Sequence, residues 1–326
     1  MEYVRLGRSN VKVSRLCLGA MGFGSTTWRE WVLDETASEP IIDRAIEHGI
    51  NFFDTCDFYS AGESERILGK LLVDKYPRDS FVLATKAGNP MAPHPNGRGY
   101  SRKHLFNAID QSLARLGTDH VDLFQTHIWD PDTDLEELVD TMGAIVQAGK
   151  ARYVGVTTMP AWTLSVCRAR AKRRHSAKFI SMQCEYNPAH RECERELVPY
   201  CLHDEVALIP FSPMARGFLS ADRQDGKNAT SRTKTDDYTR KYYYREGDFT
   251  VQAKLAKIAE RHGCSPSQVA LAWTLSRPGM TSPIFGATSV QHVDDAVGAL
   301  DLALSADELS EINAAYVPRG FNSAGH

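Results

Sequence analysis

Asn51–Tyr59, NFFDTCDFY, changes character halfway along. Phe52 and Phe53, following Ile50, belong to a buried strand; Asp54, Asp57 and Tyr59 then arrive close together. An apolar strand that ends in a carboxylate and a phenol delivers both to the C-terminal edge of a sheet. Parallel α/β folds place their chemistry at that edge. One such strand reads equally well as a strand followed by an acidic turn, so its meaning depends on how its neighbours end.

Outward from this stretch the same unit repeats. Short apolar runs at 16–21, 52–54, 81–85, 121–125, 153–156, 179–183, 207–211 and 283–285 read as strands. Segments 35–48, 64–75, 101–116, 134–147, 161–174, 192–202, 251–262 and 265–276 read as helices. Leu105, Ile109, Leu113 and Leu116 recur at helical spacing, Gly49 stops the first helix, and Thr133 with Glu136 reads as a capping box. Eight short strands, each followed by a helix, predict an α/β fold of the closed parallel (β/α)8 TIM-barrel type. No linker or shift in composition interrupts the alternation, so residues 1–326 read as one domain.

Three features are added to the bare barrel. Residues 3–13 alternate around Gly7–Asn10 as an N-terminal β-hairpin that plugs or caps something larger. Residues 305–326 open with a second capping box, Ser305 and Glu308, and supply an extra C-terminal helix. Residues 214–248 form a long loop after strand 7, well beyond the usual ~12–15 residues of a structureless connection. Because it follows a strand on the active face, it is expected to act as a lid over substrate or cofactor.

Bulk properties exclude several classes. With 326 residues, a net charge of -3 and 42% hydrophobic content, the chain suits a soluble globular protein, with no reason to expect nucleic acid or an acidic membrane surface as its main partner. No apolar run approaches the ~20 residues that cross a bilayer, and the charged N-terminus is no secretory signal. The cysteines (17, 56, 167, 184, 193, 201 and 264) include no CxxC pair, which fits a reduced cytoplasmic protein with buried thiols. Asp130-Pro-Asp132-Thr-Asp134 begins like a calcium loop but lacks its glycine and terminal carboxylate, so it reads as a helix N-terminus. His175, His203, His262 and Cys264 show no metal spacing, and no metal is expected. Arg168–His175 reads as a solvated basic face. Oligomeric state is left open.

The strand ends converge on one chemistry. The first strand leaves Gly19 and Met21, the second Asp54 and Tyr59, the third Lys86 and the fourth His127. A carboxylate, phenol, ammonium and imidazole around one mouth are the groups of proton transfer. A phenol with a reference pKa of about 10 protonates an alkoxide slowly near neutrality. An ammonium beside it is expected to lower that pKa, with Asp54 holding Lys86 charged and aimed. His127 is expected to donate to the substrate oxygen or share the proton with Tyr59. Asp57 and Cys56 remain as spacers.

Seven segments carry a resemblance: FFDTCDFY, ATK, LFQTHIWD, RYVGVTTM, MQCEYN, PFSPMARGFL and SPIFGATS. In their order and spacing the chain resembles the aldo-keto reductase superfamily from about Leu6 to about Pro318, in the bacterial and fungal branch with SPLARG-type and GATS-type motifs. The resemblance implies a barrel oxidoreductase that reduces an aldehyde or ketone with NADP(H), without a Rossmann domain. It implies a catalytic set of Asp54, Tyr59, Lys86 and His127. Gly19 and Met21 join the cofactor site, Thr157 and Thr158 stand where the family holds the carboxamide with Ser-Asn or Ser-Ser, and Gln183 matches the family glutamine. Phe211 takes the place of the ring that stacks on the nicotinamide. Ser212, Met214 and Arg216 fall at the pyrophosphate, and Gly286, Thr288, Ser289 and His292 at the adenosine 2′-phosphate. The Lys and Arg of the IPKS branch have no match at Gly286 and His292, and Asp294 and Asp295 would repel a phosphate if they faced inward. NADP(H) is expected over NAD(H), which is retained as the alternative.

Trp28, Trp31 and Trp129 lie in loops on the active face and are expected to wall a substrate pocket with Tyr59, His127, Asn89 and residues 93–100. The implied partner is a small carbonyl or alcohol, whose identity and direction of reaction stay open. The alternative is a weakly catalytic, nicotinamide-binding regulatory subunit resembling potassium-channel β-subunits. That branch carries Asn where His127 stands, so the histidine favours an enzyme. A barrel hydrolase would need a metal cluster or paired carboxylates at the rim, and neither occurs.

Overall fold

The computed structural model describes residues 1–221, 232 and 235–319. The chain opens with an antiparallel hairpin, β1 (Tyr3–Arg5) and β2 (Lys12–Ser14), in which Val4 faces Val13. Eight parallel strands follow: β3 (Cys17–Gly19), β4 (Phe52–Asp54), β5 (Val82–Ala87), β6 (Val121–Thr126), β7 (Ala151–Thr157), β8 (Phe179–Gln183), β9 (Ala207–Leu208) and β10 (Ile284–Phe285). They pair in chain order from β3 to β9, and β10 pairs with β3. Thr281 N donates to Leu208 O at 2.8 Å and Ile284 N to Pro210 O at 2.7 Å, which joins the sheet's two ends. The predicted (β/α)8 barrel is present, with hairpin and added C-terminal helices.

Side-chain parity decides what faces where. Phe52, Val82, Ala84 and Leu123 form one buried cluster with Leu6 and Val13, so the hairpin plugs the barrel floor. Phe53, Leu83 and Phe124, one residue on, belong to the larger cluster between sheet and helices. Each such Leu or Phe removed from water stabilises the fold by about 1.5–3 kcal/mol. Two residues beyond Phe52, Ala84 and Leu123 stand Asp54, Lys86 and Gln125, which the same alternation turns inward.

The helices pack outside: α1 (Glu35–Glu47), α2 (Glu63–Leu68), α3 (Arg102–Leu116), α4 (Leu135–Gln147), α5 (Ala161–Arg173) and α6 (Leu197–His203), then helices Glu246–His262, Pro266–Ser276, Val290–Gly298 and Ala306–Ala315. Three local expectations need correction. The cap of α4 is Asp134, not Thr133: its carboxylate accepts from Glu136 N at 2.7 Å and Glu137 N at 3.2 Å. The helix expected over 64–75 stops at Leu68 and widens into a π turn, Gly69–Val73. A Cβ on Gly69 would meet Leu116 O at 2.9 Å, so this turn lies against the end of α3 and needs glycine there. The segment 192–202 splits into a 3-10 turn, Glu192–Glu194, and α6.

The stretch 214–248 is more structured than a loop. It begins with a 3-10 segment, Ala215–Ser220, and resumes as helix Asp237–Tyr243 before Glu246–His262. Residues 222–231, 233 and 234 of that stretch lie outside the described residues, as do residues 320–326 of the tail. The Ser305–Glu308 capping box is formed. No helix among the described residues is long and apolar enough to cross a membrane.

Candidate active site

At the mouth of the barrel a charged pair is buried beneath a phenol. Lys86 Nζ lies 2.5 Å from Asp54 Oδ1 and donates to Thr55 O at 2.7 Å, its side chain wholly out of water. The other carboxylate oxygen, Asp54 Oδ2, accepts from Gln125 Nε2 and Gln183 Nε2, both at 3.1 Å. Burial works against the ammonium, but Asp54, followed by Tyr59 and Cys56, outweighs it and raises the Lys86 pKa above its ordinary value. Lys86 therefore stays charged in a place where an unpaired lysine would lose its proton.

Above the pair, Lys86 Nζ sits 5.1 Å from the Tyr59 ring centre. The ring meets His127 edge-on at 5.7 Å and Trp28 at 6.4 Å. The expectation that Lys86 lowers the Tyr59 pKa is outweighed. Burial raises the phenol above its ordinary value, and Lys86 pulls it back only in part. Backbone shape fixes the ring: Ser60 and Ala61, immediately after it, take the left-handed φ values 52° and 54°. Ser60 Oγ accepts from Ser25 N at 2.8 Å, and Gly24, at φ +153°, leaves no room for a Cβ, which would meet Ser60 Cβ at 2.4 Å. That contact ties the loop bearing Trp28 to the segment bearing Tyr59.

His127 is neutral. Burial first and Lys86 second push its pKa well below the usual imidazole range. Asn89 Nδ2 lies 2.6 Å from His127 Nδ1, so Nδ1 accepts and the ring proton resides on Nε2. Tyr100 holds the neighbouring loop: its hydroxyl donates to Ile128 O and accepts from Ile128 N at 3.0 Å. The expected wall residues differ in depth. Trp28 and Trp129 are half-buried, whereas Trp31 is buried to 7% exposure and joins a cluster of arginines.

That cluster was not legible in the sequence. Arg216 Nη2 lies 2.6 Å from Asp236 Oδ2, and Arg232 Nε 3.4 Å from the same oxygen. Arg232 stacks over the Trp31 ring at 4.4 Å, and Arg29 lies over Trp28 at 4.7 Å and Trp31 at 5.9 Å. Burial lowers the Arg29 pKa while Asp236 opposes and Arg216 adds to the effect, which puts all four groups in one field. Two guanidinium groups, those of Arg216 and Arg232, thus share Asp236, and Arg29 stacks on Trp28 and Trp31 beside them. Only the arginine in the SPMARG motif carried a sequence signal.

The remaining residues suit a dinucleotide. Thr157 Oγ1, at the end of β7, is buried with no partner among the described residues, an arrangement that an amide can satisfy. Thr158 adopts φ 55° and donates its N–H to Gln183 O at 2.9 Å. Gln183 itself is turned to Asp54. Phe211, half-buried, pairs with Glu185 beside the end of β8. Ser212 and Arg216 take left-handed φ of 54° and 57°, bending the chain around Met214. Gly19 leaves no space for a Cβ, which would meet Ile284 at 2.7 Å, and Met21 follows in a 3-10 turn.

Ser289 precedes helix Val290–Gly298 without capping it by its side chain, while Thr288 N donates to His292 Nδ1 at 3.2 Å. Gly286 is open, with nothing within 4 Å of a Cβ position. Asp294 turns away to Arg44 Nε and His48 Nε2, both at 2.6 Å, and Asp295 accepts from Gln291 at 2.9 Å. The charge of Asp294 is therefore met within the protein. Among the described residues no cluster of His, Cys, Asp or Glu could hold a metal ion.

Asp57, read as a spacer, is a buried carboxyl. It is 1% exposed, its carboxyl has no side-chain hydrogen-bond partner among the described residues, and burial followed by Glu65 lifts its pKa to about 8. Glu65 is engaged elsewhere, accepting from Thr85 Oγ1 at 2.5 Å and Arg115 Nε at 2.6 Å.

Comparison with known proteins gives the family. A model of the aldo/keto reductase family matches residues 15–317. The chain is 40% identical to a versiconal hemiacetal acetate reductase of Aspergillus parasiticus, over 99% of each chain. It is 36% identical to a putative aryl-alcohol dehydrogenase of Schizosaccharomyces pombe, over 97% of this chain and 96% of that one. A putative aryl-alcohol dehydrogenase of Saccharomyces cerevisiae is 31% identical over 98% of each.

Proposed function

The chain belongs to the aldo/keto reductase family of oxidoreductases, and from that membership we propose that it reduces an aldehyde or ketone to an alcohol with NADP(H) in preference to NAD(H). The observation that carries the reading is the buried Lys86–Asp54 pair beneath Tyr59, with a neutral His127 against the same ring. When bound, the nicotinamide supplies a hydride to the carbonyl carbon. Tyr59 holds the proton that the carbonyl oxygen takes up. Lys86, kept charged by Asp54, stabilises the phenolate that remains. His127, with its proton on Nε2, donates to the same oxygen and polarises the carbonyl.

Thr157 and Gln183 would hold the carboxamide, Phe211 the face of the ring, and Arg216 with Arg29 and Arg232 the diphosphate. Thr288, Ser289 and the first N–H groups of helix Val290–Gly298 would receive a 2′-phosphate. Trp28, with Phe58 against it, offers aromatic surface beside Tyr59, which suits a planar, unsaturated carbonyl compound. We read residues 1–326 as one barrel domain. The seven free thiols are in keeping with a reducing compartment such as the cytoplasm.

The test is a panel of aryl aldehydes, quinones, ketones and hemiacetal acetates, followed by loss of NADPH or NADH absorbance. Tyr59→Phe is expected to abolish turnover and leave dinucleotide affinity nearly unchanged. Wild-type kcat in that variant sinks the assignment of the acid. A KM for NADH equal to or below that for NADPH sinks the cofactor preference.

A further inference from the structure

Two phenols from one short helix converge on a carboxylate outside the proposed proton-transfer set. Glu185 follows Gln183 by two residues, and its side chain is only 10% exposed. It accepts from Tyr243 Oη through Oε1 and from Tyr238 Oη at 3.2 Å through Oε2. Both tyrosines lie on helix Asp237–Tyr243. The Tyr243 hydroxyl also accepts from Asn187 Nδ2 at 2.9 Å, and that amide donates to Ser212 O at 3.0 Å. Tyr243 is fully buried and stacks on Phe218 at 6.1 Å.

The other face of this knot leads to the arginines. The Arg216 guanidinium lies over the Tyr238 ring at 4.7 Å and pairs with Asp236, one residue before the helix. The backbone of Glu185 is bridged to Phe211, and Phe211 N donates to Cys184 O at 2.9 Å. One residue therefore joins three parts of the proposed dinucleotide site: the end of β8, the aromatic at the end of β9, and the helix that backs Arg216. A carboxylate that accepts two hydroxyls holds two side chains in fixed directions, and charge-assisted bonds are the stronger kind.

We propose that Glu185 is a positioning residue, a latch that holds helix Asp237–Tyr243 and Arg216 in the arrangement that retains the dinucleotide. It sets the rate at which the cofactor leaves and takes no part in moving the proton. The proposal rests on the reading of this mouth as a dinucleotide site. Its consequence is a division of labour: Asp54, Tyr59, Lys86 and His127 govern the chemical step, and Glu185 governs occupancy.

Stopped-flow displacement of NADPH by excess NADP+, read by nicotinamide fluorescence, tests this, alongside single-turnover hydride transfer at saturating NADPH. Glu185→Ala is expected to release NADPH about tenfold faster or more, since two charge-assisted bonds are lost. The cofactor KM should rise in parallel, while the single-turnover rate stays within about twofold, because the acid and its partners are untouched. Glu185→Gln, whose amide oxygen still accepts a phenol, should recover most of the wild-type release rate. Tyr238→Phe keeps its ring against Arg216 and gives a smaller acceleration, and it serves if Glu185→Ala fails to fold. Wild-type release rates in both Glu185→Ala and Tyr238→Phe overturn the latch. So does a fall in the single-turnover rate as large as the gain in release rate, which marks a general loss of structure. Wild-type protein that binds neither NADPH nor NADH would instead sink the dinucleotide reading itself.

Discussion

Replacing Asp54 by Asn removes the carboxylate that keeps Lys86 charged and leaves the ammonium with neutral acceptors alone, Thr55 O at 2.7 Å and the new amide oxygen. Two limits bound the effect. If Lys86 keeps its charge, a buried ion has lost its partner, at a cost of about 3–5 kcal/mol. If Lys86 instead sheds its proton, the cost at pH 7 is the distance from its unfolded pKa of ~10.4, roughly 4–5 kcal/mol at about 1.4 kcal/mol per unit. Both limits place the loss of stability near 4 kcal/mol at pH 7.

The pH dependence separates them. In the wild type the folded pKa of Lys86 is raised, so its contribution is complete below the unfolded value and is lost only as pH rises through the folded one. In Asp54→Asn burial acts unopposed and the folded pKa falls below the unfolded one. The unfolded chain then binds more protons, and the variant gains stability as pH rises. Between pH 7 and 9 the gap to wild type should narrow by about 1.4 kcal/mol per unit if the lysine is neutral, and stay constant if it is charged. Urea unfolding at pH 7, 8 and 9 reads this directly. A loss below about 1 kcal/mol at pH 7, where breaking a buried pair should cost several times that, would refute the claim that the pair is dry and mutually dependent.

Asn89→Ala should lower kcat about 10–100-fold with little change in cofactor KM, because the His127 proton is no longer assigned to Nε2; 15N shifts of the imidazole and steady-state kinetics check it. Asp57, with its pKa raised to about 8, binds a proton in the fold that the unfolded chain has released above the ordinary carboxylate range. Stability should therefore fall as pH rises from about 4 to about 8, and Asp57→Asn should flatten that slope in a thermal-unfolding series. Arg29→Ala should weaken NADPH and NADH alike, by roughly tenfold or more in Kd, and make binding less sensitive to salt. A loss confined to NADPH would move Arg29 from the diphosphate to the 2′-phosphate.

Asp54, Lys86 and Gln125 each stand two residues past an inward core residue, so their facing follows from strand parity and from where the apolar run stops. The eight repeats, the hairpin and the Ser305–Glu308 cap were legible on the same basis, since each is specified by residues a few positions apart. The cap at Asp134 was misplaced by one residue because Thr133 and Asp134 both qualify locally, and only the backbone geometry chooses. The π turn at Gly69 was invisible for another reason: it depends on how closely the end of α3 approaches.

By itself, then, the sequence determined the barrel and the four groups at its mouth, because alternation and strand order are properties of neighbouring residues. Tertiary structure alone decided what those groups meet. Gln183 reaches Asp54 across 129 residues, Tyr243 reaches Glu185 across 58, and Arg216 finds Asp236 and, with it, Arg29 and Arg232. It also reversed one sign, since the removal of water around Tyr59 raises a phenol that the ammonium alone would lower. Desolvation depends on every element that closes over a site, and no local pattern of residues encodes it.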